Sequence, residues 1–114
     1  MNIEVYTNYC QSLKGVTESF PFDAKTLVFK VCGKMFALCD VEDFDGVNLK
    51  CDPEKAIELR EQFEGINPGY HMNKKHWNTV STNADVSDSM VFELTKDSYD
   101  LVFSSLPKKV RENL

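Results

Sequence analysis

Residues 26–40 decide the fold, and in one-letter code they read TLVFKVCGKMFALCD. Apolar side chains alternate with other residues on both sides of Cys32-Gly33, which predicts a β-hairpin with a two-residue turn. In that register Leu27 faces Leu38, Phe29 faces Phe36, and Val31 faces Lys34. We expect this face to pack on the core. The opposite face is mixed and is expected to be half covered; it carries Thr26, Val28, Lys30, Met35, Ala37 and Cys39.

The turn of this hairpin leaves two lengths open. Gly33 suits the second turn position because glycine adopts a positive φ without steric cost. Cys32 is a poor residue for the first position, which also allows a longer turn. Before the hairpin, an apolar stripe of helical period runs from the cap Asn2 to Gly15. A short strand is predicted over 16–20, ended by Pro21.

The chain after the hairpin repeats the change between strand and helix. A strand is predicted over 47–51. Asp52-Pro53 starts a helix, because it supplies a cap and then a proline at the first helical position. That helix ends at Gly65. A turn at Asn67-Pro68-Gly69 and a strand over 77–81 follow.

The C-terminal third is predicted to be helical. Ser87 or Asp88 caps a helix, a break is expected near Lys96 or Asp97, and Pro107 begins a last basic turn. The predicted order is therefore α-β-β-β-β-α-β-α(α). Strands joined by short turns favour an antiparallel β-sheet with helices packed on one face, an α+β fold.

The chain totals limit the class of protein. A length of 114 residues predicts a single domain over 1–114. No apolar run approaches the roughly 20 residues of a membrane span. The N-terminus lacks the basic and apolar segments of a signal peptide, so a cytoplasmic location is expected. The four cysteines form no C-x-x-C pair. They are expected to be free, mostly buried thiols, with no metal or cofactor.

Charge is distributed unevenly along this chain of net charge −5. Residues 40–64 hold nine acidic side chains against three basic ones, whereas residues 65–84 hold two lysines and no acid. The same tract contains both histidines and the only tryptophan, within residues 69–78. A polyanion could therefore approach only one side of the molecule.

Several segments, in this order, resemble one family. They are Phe20-Pro21-Phe22, the hairpin strands Val28-Phe29-Lys30-Val31 and Lys34-Met35-Phe36-Ala37, Leu49-Lys50-Cys51-Asp52-Pro53, residues 68–80 (PGYHMNKKHWNTV), Ser98-Tyr99-Asp100-Leu101-Val102 and Leu106-Pro107-Lys108-Lys109. Together they are similar to the MmcQ/YjbR family. The resemblance implies a compact α+β fold similar to type III secretion chaperones. It also implies DNA binding through a double-wing arrangement of strands and loops, and it supplies no catalytic residues.

Two interpretations of residues 69–78 stand side by side. As a nucleic-acid contact, Lys74, Lys75 and His76 would meet phosphates, and Tyr70 or Trp77 would stack on a base. Further cations could add to the patch: Lys30, Lys50, Lys108, Lys109 and Arg111. As a structural segment, Trp77 anchors the core, His71 packs its ring on the sheet, and the two lysines keep a loop in solvent.

The rival function is protein binding. The half-polar hairpin face could hold a partner helix or form a homodimer. Other sites fit less well: His71 and His76 have no nearby acid for zinc, and Asp40, Glu42, Asp43 and Asp45 fit an acidic turn better than a calcium loop. We therefore expect a non-enzymatic protein. An enzyme would need a pocket that holds a histidine beside a cysteine or carboxylate.

Overall fold

The structure is a computed structural model that describes residues 1–114. Four helices and six strands follow one another in the order α1 (Ile3–Gln11), β1 (Val16–Ser19), β2 (Thr26–Val31), β3 (Lys34–Asp40), β4 (Gly46–Lys50), α2 (Pro53–Gln62), β5 (Ile66–Pro68), β6 (Trp77–Ser81), α3 (Asp88–Ser105) and α4 (Lys108–Glu112). No helix is long and apolar enough to span a membrane.

The strands form one antiparallel sheet in the order β1-β2-β3-β4-β6-β5. Helices α1, α2 and α3 cover one face, so the predicted α+β fold is confirmed. The second edge strand was missed: Asn67-Pro68, predicted as a turn, pairs with Thr79 and Asn78. Pro68 fits here because an edge strand does not need every N–H for the ladder.

The hairpin between β2 and β3 is present, but most of its predicted register is wrong. Val31 pairs with Lys34 as expected, whereas Phe29 pairs with Ala37 and Leu27 with Cys39. A β-bulge shifts the register between Phe29 and Lys30. The bulge places the consecutive residues Phe36 and Ala37 on the same side, and both belong to the helix-covered core.

The hairpin turn has two residues. Cys32 and Gly33 adopt φ values of 50° and 82°, both in the left-handed region. This is the backbone of the tight turns that match strand twist. The turn therefore accepts Cys32 at its unfavourable first position, and the longer alternative is wrong.

The main core lies between the sheet and the helices and contains 19 buried residues. Tyr6 of α1 lies fully buried in it, with its ring centroid 5.9 Å from that of Phe29. Its hydroxyl is 2.9 Å from Thr95 Oγ1 of α3, which satisfies both buried polar groups. Burial raises the Tyr6 pKa well above its usual value.

Helix α3 is continuous from Asp88 to Ser105, so the predicted break near Lys96 or Asp97 is wrong. Ser87 caps it by accepting a hydrogen bond from the Met90 N–H. The buried face runs through the expected break, where it includes Leu94, Thr95, Ser98, Tyr99 and Val102. On the exposed side, the (i, i+4) ion pair Lys96–Asp100 bridges the same point at 2.6 Å.

A smaller cluster covers part of the other face of the sheet, which we call the open face. It consists of Val28, Leu38 and Trp77, with Met35 and Met72 packed against them. Because of the bulge, three residues of β3 lie on the opposite face of the sheet from the one predicted. Ala37 and Cys39, predicted on the open face, lie in the helix-covered core, and Leu38 takes their place on the open face.

Candidate nucleic-acid interface

Residues 69–76 form a loop between β5 and β6 that lies over the open face; we call it the basic loop. The Tyr70 N–H donates to Thr79 Oγ1 at 2.9 Å, and Asn48 Nδ2 donates to the Tyr70 carbonyl at 3.4 Å. Asn48 of β4 and Thr79 of β6 both lie on the open face. Met72 then packs on the small apolar cluster. The loop is therefore fixed to the sheet by side chains as well as by its own backbone.

Gly69 begins the basic loop where no side chain fits. A Cβ at this position would lie 2.8 Å from Trp77 Cβ and 3.0 Å from the Trp77 carbonyl oxygen. The Gly69 N–H donates to that same oxygen at 2.8 Å, and its carbonyl accepts from Lys74 Nζ at 3.0 Å. The Lys74 ammonium is thus tied to the loop while the residue stays exposed.

His71 is exposed, so the interpretation that its ring packs on the sheet is wrong. Its φ of 58° lies in the left-handed region, which is unfavourable for a non-glycine residue. The Met72 N–H donates to the Gly69 carbonyl at 3.2 Å and closes a turn around Tyr70 and His71. The two rings lie beside each other with centroids 4.0 Å apart, and Tyr70 is 68% exposed.

Trp77 is buried to 8% exposure, in line with the core-anchor interpretation. Its ring packs in the open-face cluster with Val28 and Leu38, not in the main core. It cannot present its ring to a base without leaving this cluster, so Trp77 is withdrawn as a stacking residue and Tyr70 remains. His76 is half-buried, and its carbonyl accepts from the Cys51 N–H at 2.8 Å.

Arg60 of α2 supports the basic loop from behind, a role that the sequence did not reveal. Its Nε donates to Asn78 Oδ1 at 2.6 Å, and its Nη2 donates to the carbonyls of Lys74 and Trp77. Asn78 is itself buried, and its Nδ2 donates to the Ala56 carbonyl at 3.4 Å. The signal in the sequence is an arginine on a helix whose exposed charged residues are mostly acidic.

Ser98 joins two strands at the same end of the sheet. Its hydroxyl accepts from the Lys50 N–H at 2.9 Å and donates to the Phe36 carbonyl at 2.6 Å. The β3–β4 ladder has its last pair at Ala37 and Leu49, so Ser98 satisfies the backbone groups just beyond it. The sequence indicates a role for Ser98 only by its position in the family-like segment at 98–102.

The strand register brings four lysines to one end of the open face. Lys30 pairs with Met35 and Lys50 pairs with Trp77, and alternation along β2 and β4 turns both lysines away from the main core. The basic loop adds Lys74 and Lys75 at the same end. We call these four residues the lysine end. Tyr70 is the exposed ring closest to them in sequence.

The four lysines of the lysine end form no ion pairs. The side-chain cations that form ion pairs lie elsewhere: Lys25 with Glu42, Lys55 with Asp97, Lys96 with Asp100, and Lys108 with Glu112. None of the four lysines of the lysine end has a carboxylate within ion-pair distance. Their positive charge is therefore available to an external anion.

The remaining candidate cations, Lys108, Lys109 and Arg111, lie apart from the basic loop. They belong to α4, whose neighbour Leu114 packs over Gly15 just before β1. Strand β1 is four strand positions from β6, a separation of about 19 Å at 4.8 Å per strand. The structure therefore places Lys50, Lys74 and Lys75 near the start of β6, and it places Lys30 at the same end of the open face, three strand positions from β6. The α4 cations lie near β1 instead.

Carboxylates collect at the opposite end of the open face. Asp23 accepts from the N–H groups of Lys25 and Thr26 at 2.9 and 2.7 Å, and these hydrogen bonds lower its pKa. Asp40 accepts from the N–H groups of Glu42 and Asp43, as an acidic turn requires. No cluster of three or more His, Cys, Asp or Glu has the arrangement of a metal site.

The four cysteines are free thiols, as predicted. Cys10 and Cys39 lie in the main core, where burial raises the pKa of each to about 12. Both are therefore protonated near neutral pH. Cys51 is half-buried, and burial raises its pKa as well. Cys32 is the exposed one, at the hairpin turn.

Two of the surface cavities lie near candidate residues. One, of about 320 Å³, lies between α2 and α3, and the ion pair Lys55–Asp97 spans the helices beside it. Neither histidine lines it. The other, of about 520 Å³, lies on the open face and includes His71 and three carboxylates. His71 forms no hydrogen bond with any of them, so the structure contains no histidine–carboxylate pair.

Comparison with known proteins assigns the family. The YjbR family model matches residues 11–101. The uncharacterised protein YjbR of Escherichia coli K12 is 35% identical over 115 residues, which cover 100% of this chain and 98% of that protein. The crystal structure of Deinococcus radiodurans DR2400, with a DUF419 domain, superposes with a TM-score of 0.91 at 40% identity, covering 98% of this chain and 86% of that one. A Pseudomonas syringae structure gives 0.75 at 28% identity, covering 90% and 99%. The chain belongs to the YjbR family.

Proposed function

We propose that this protein is a non-enzymatic binding protein that contacts nucleic acid weakly through the lysine end of its open face. The observation that carries the proposal is the placement of Lys30, Lys50, Lys74 and Lys75, without ion-pair partners, at one end of the open face, with the exposed Tyr70 in the same loop as Lys74 and Lys75. Lysine ammonium groups meet phosphates without reading sequence, and an exposed aromatic ring stacks on an unpaired base.

The affinity is expected to be low. The net charge of −5 repels a polyanion at long range, and the lysine end supplies only about three or four phosphate contacts. Tyr70 stacks on a base only where the strand is open, so we expect single-stranded DNA to bind more tightly than a duplex of the same length.

A salt series tests the proposal. Fluorescence anisotropy would follow binding of a labelled 15-nucleotide single strand and the matching duplex between 50 and 200 mM salt. Three phosphate contacts weaken duplex binding by about 40-fold over this range. The double variant Lys74→Glu with Lys75→Glu is expected to abolish the signal. Lys108→Glu with Lys109→Glu makes the same change in net charge at the far edge and is expected to retain most binding. An affinity that does not depend on salt, or equal losses in the two variants, would refute the proposal.

Protein binding through the open face is a second candidate function. Val28 and Met35 of the predicted face are already packed with Trp77 and Met72, so a partner cannot use the whole hairpin face. What supports this candidate is the 520 Å³ groove that remains between the β1–β2 loop and the basic loop. A homodimer through the same face is the alternative use of that groove.

We also propose that the protein works in the cytoplasm. Four cysteines are free, and Cys32 is exposed at the tip of a hairpin. An exposed free thiol persists most readily in a reducing compartment. Fractionation of cells that express a tagged chain tests this location, and recovery outside the cytoplasmic fraction would contradict it.

A further inference from the structure

The open-face groove has aromatic side chains on both of its walls. Phe22, from the loop between β1 and β2, is 64% exposed, and Tyr70, from the basic loop, is 68% exposed. Large exposed rings on a small domain are unusual, because burying them in the interior is favourable. Here they line one concave space of about 520 Å³ together with His71 and Met72.

The wall made by the basic loop is held in place before any ligand arrives. Tyr70 is fixed at its N–H by Thr79 Oγ1 and at its carbonyl by Asn48 Nδ2. His71 follows with an unfavourable φ of 58°, and its ring lies against Tyr70 with centroids 4.0 Å apart. Unfavourable backbone that is held by its surroundings is concentrated at ligand sites. The aromatic pair therefore needs little ordering on binding.

The charge of the groove has one sign. Asp23, Asp40 and Asp45 line it, and no lysine or arginine does. The N–H groups of Thr26 and Lys25 donate to Asp23 and lower its pKa, so these hydrogen bonds favour its charged form. Asp45 makes no side-chain hydrogen bond or ion pair, so its charge is free. A cation placed here would meet carboxylates and the faces of aromatic rings at once.

We propose that this groove binds a lysine or arginine side chain on an extended basic segment of a partner protein. The inference rests on the second candidate function, protein binding; it shares Tyr70 with the proposed nucleic-acid contact but none of the four lysines of the lysine end. The cation would lie between the rings of Phe22 and Tyr70 and be neutralised by the three aspartates.

Binding of a labelled peptide, Gly-Arg-Ala-Arg-Ala-Arg-Gly, to the full chain tests the proposal, with Gly-Glu-Ala-Glu-Ala-Glu-Gly as its charge-reversed match. We expect saturable binding of the basic peptide only. Phe22→Ala and Asp45→Asn are each expected to weaken it about fivefold or more. The controls Phe20→Ala and Asp43→Asn alter an exposed ring and a carboxylate outside the groove, and should change affinity less than twofold.

Other outcomes separate the possible failures. Equal losses in the groove variants and their controls would mean that the peptide responds only to the overall negative charge, and would overturn the proposal. Binding of the acidic peptide that depends on Phe22 would overturn the cation assignment and leave the protein-binding function intact. A concentration-dependent dimer abolished by Phe22→Ala would assign the groove to a second copy of the chain. Absence of binding by either peptide, with no dimer, would overturn both the inference and the second candidate function.

Discussion

The two faces of the sheet differ in how they are covered. On the helix-covered face, 19 buried residues form one continuous core, whereas three buried residues and two methionines form the cluster on the open face. The first face is mostly apolar, its buried polar groups are hydrogen-bonded, and it can contribute most of the stability of the domain. The second face carries lysines at one end and aspartates at the other. The difference supports our proposal that one face stabilises the domain and the other contacts a ligand.

The same division explains why a net acidic protein can have a basic surface. The paired lysines Lys25, Lys55 and Lys96 lie beside carboxylates, so they add nothing to the field at the open face. Those of the lysine end are separated from the aspartates by the length of the strands. Net charge therefore describes the whole molecule and not the local surface that meets a ligand.

A phenylalanine on each face gives the largest expected contrast. Phe29 is fully buried among the helices, and Phe29→Ala should lower the free energy of unfolding by about 3–5 kcal/mol. Phe22 is 64% exposed, and Phe22→Ala should change it by no more than about 0.5 kcal/mol. Urea unfolding followed by circular dichroism measures both. Similar losses for the two variants would contradict the division between the faces.

Arg60 tests how firmly the open face is held from behind. Arg60→Ala removes the donors to Asn78 and to the carbonyls of Lys74 and Trp77, and should cost about 2 kcal/mol. Hydrogen exchange should accelerate at residues 74–77 before it does so in α3. Arg60→Lys cannot replace a planar group with several donors and should recover little. Unchanged exchange in the basic loop would show that Arg60 does not order it.

Ser98 tests the strand junction beside the lysine end. Ser98→Ala leaves the Lys50 N–H and the Phe36 carbonyl without their partner, and should cost about 1–3 kcal/mol. Ser104→Ala is the matched control, because the exposed Ser104 hydroxyl only donates to the Asp100 carbonyl within its own helix. Thermal unfolding of both variants distinguishes them, and an equal change in melting temperature would argue against the bridge.

The smallest expected effect is the loss of stability at low pH when Asp85 is protonated. The N–H groups of Gly65 and Glu64 donate to Asp85 and lower its pKa. The stability that Asp85 contributes is therefore fully present above the unfolded pKa of about 3.9 and is lost as the pH falls through the lower folded value. Asp85→Asn should lower the melting temperature at pH 6 and converge with the wild type near pH 2. Asp43→Asn, whose carboxylate accepts no hydrogen bond, should show no such convergence; a constant difference for Asp85→Asn would contradict the assignment.

Residue periodicity predicts the helix-covered face better than it predicts the open face. The caps Asn2, Asp52 and Ser87 and the strand over 77–81 follow from local chemistry, and all are confirmed. The bulge between Phe29 and Lys30 does not follow from local chemistry, because an extra residue on one strand leaves the alternation on each side of it intact. Alternation with a period of two therefore predicts β2 and β3 correctly but not the register in which they pair.

The candidate site shows the same limit. The absence of acids over 65–84 indicates the basic loop, and the structure adds that Lys50 pairs with Trp77 beside it and that Lys30 lies at the same end of the open face. The exposure of His71 and the support from Arg60 depend on contacts between residues distant in sequence, so no local pattern predicts them. The groove likewise requires Phe22 and Tyr70 to lie on facing walls, which only the fold arranges.

The most direct test of the central claim is a two-dimensional ¹H–¹⁵N NMR titration of the protein with a short single-stranded DNA at low salt. The account predicts progressive shifts for Lys30, Lys50 and residues 70–76, with little change in α4 or around Asp40. Adding salt to 200 mM should reverse them. Shifts confined to α4, shifts spread over both faces, or no shifts at millimolar DNA would contradict the assignment of nucleic-acid contact to the lysine end.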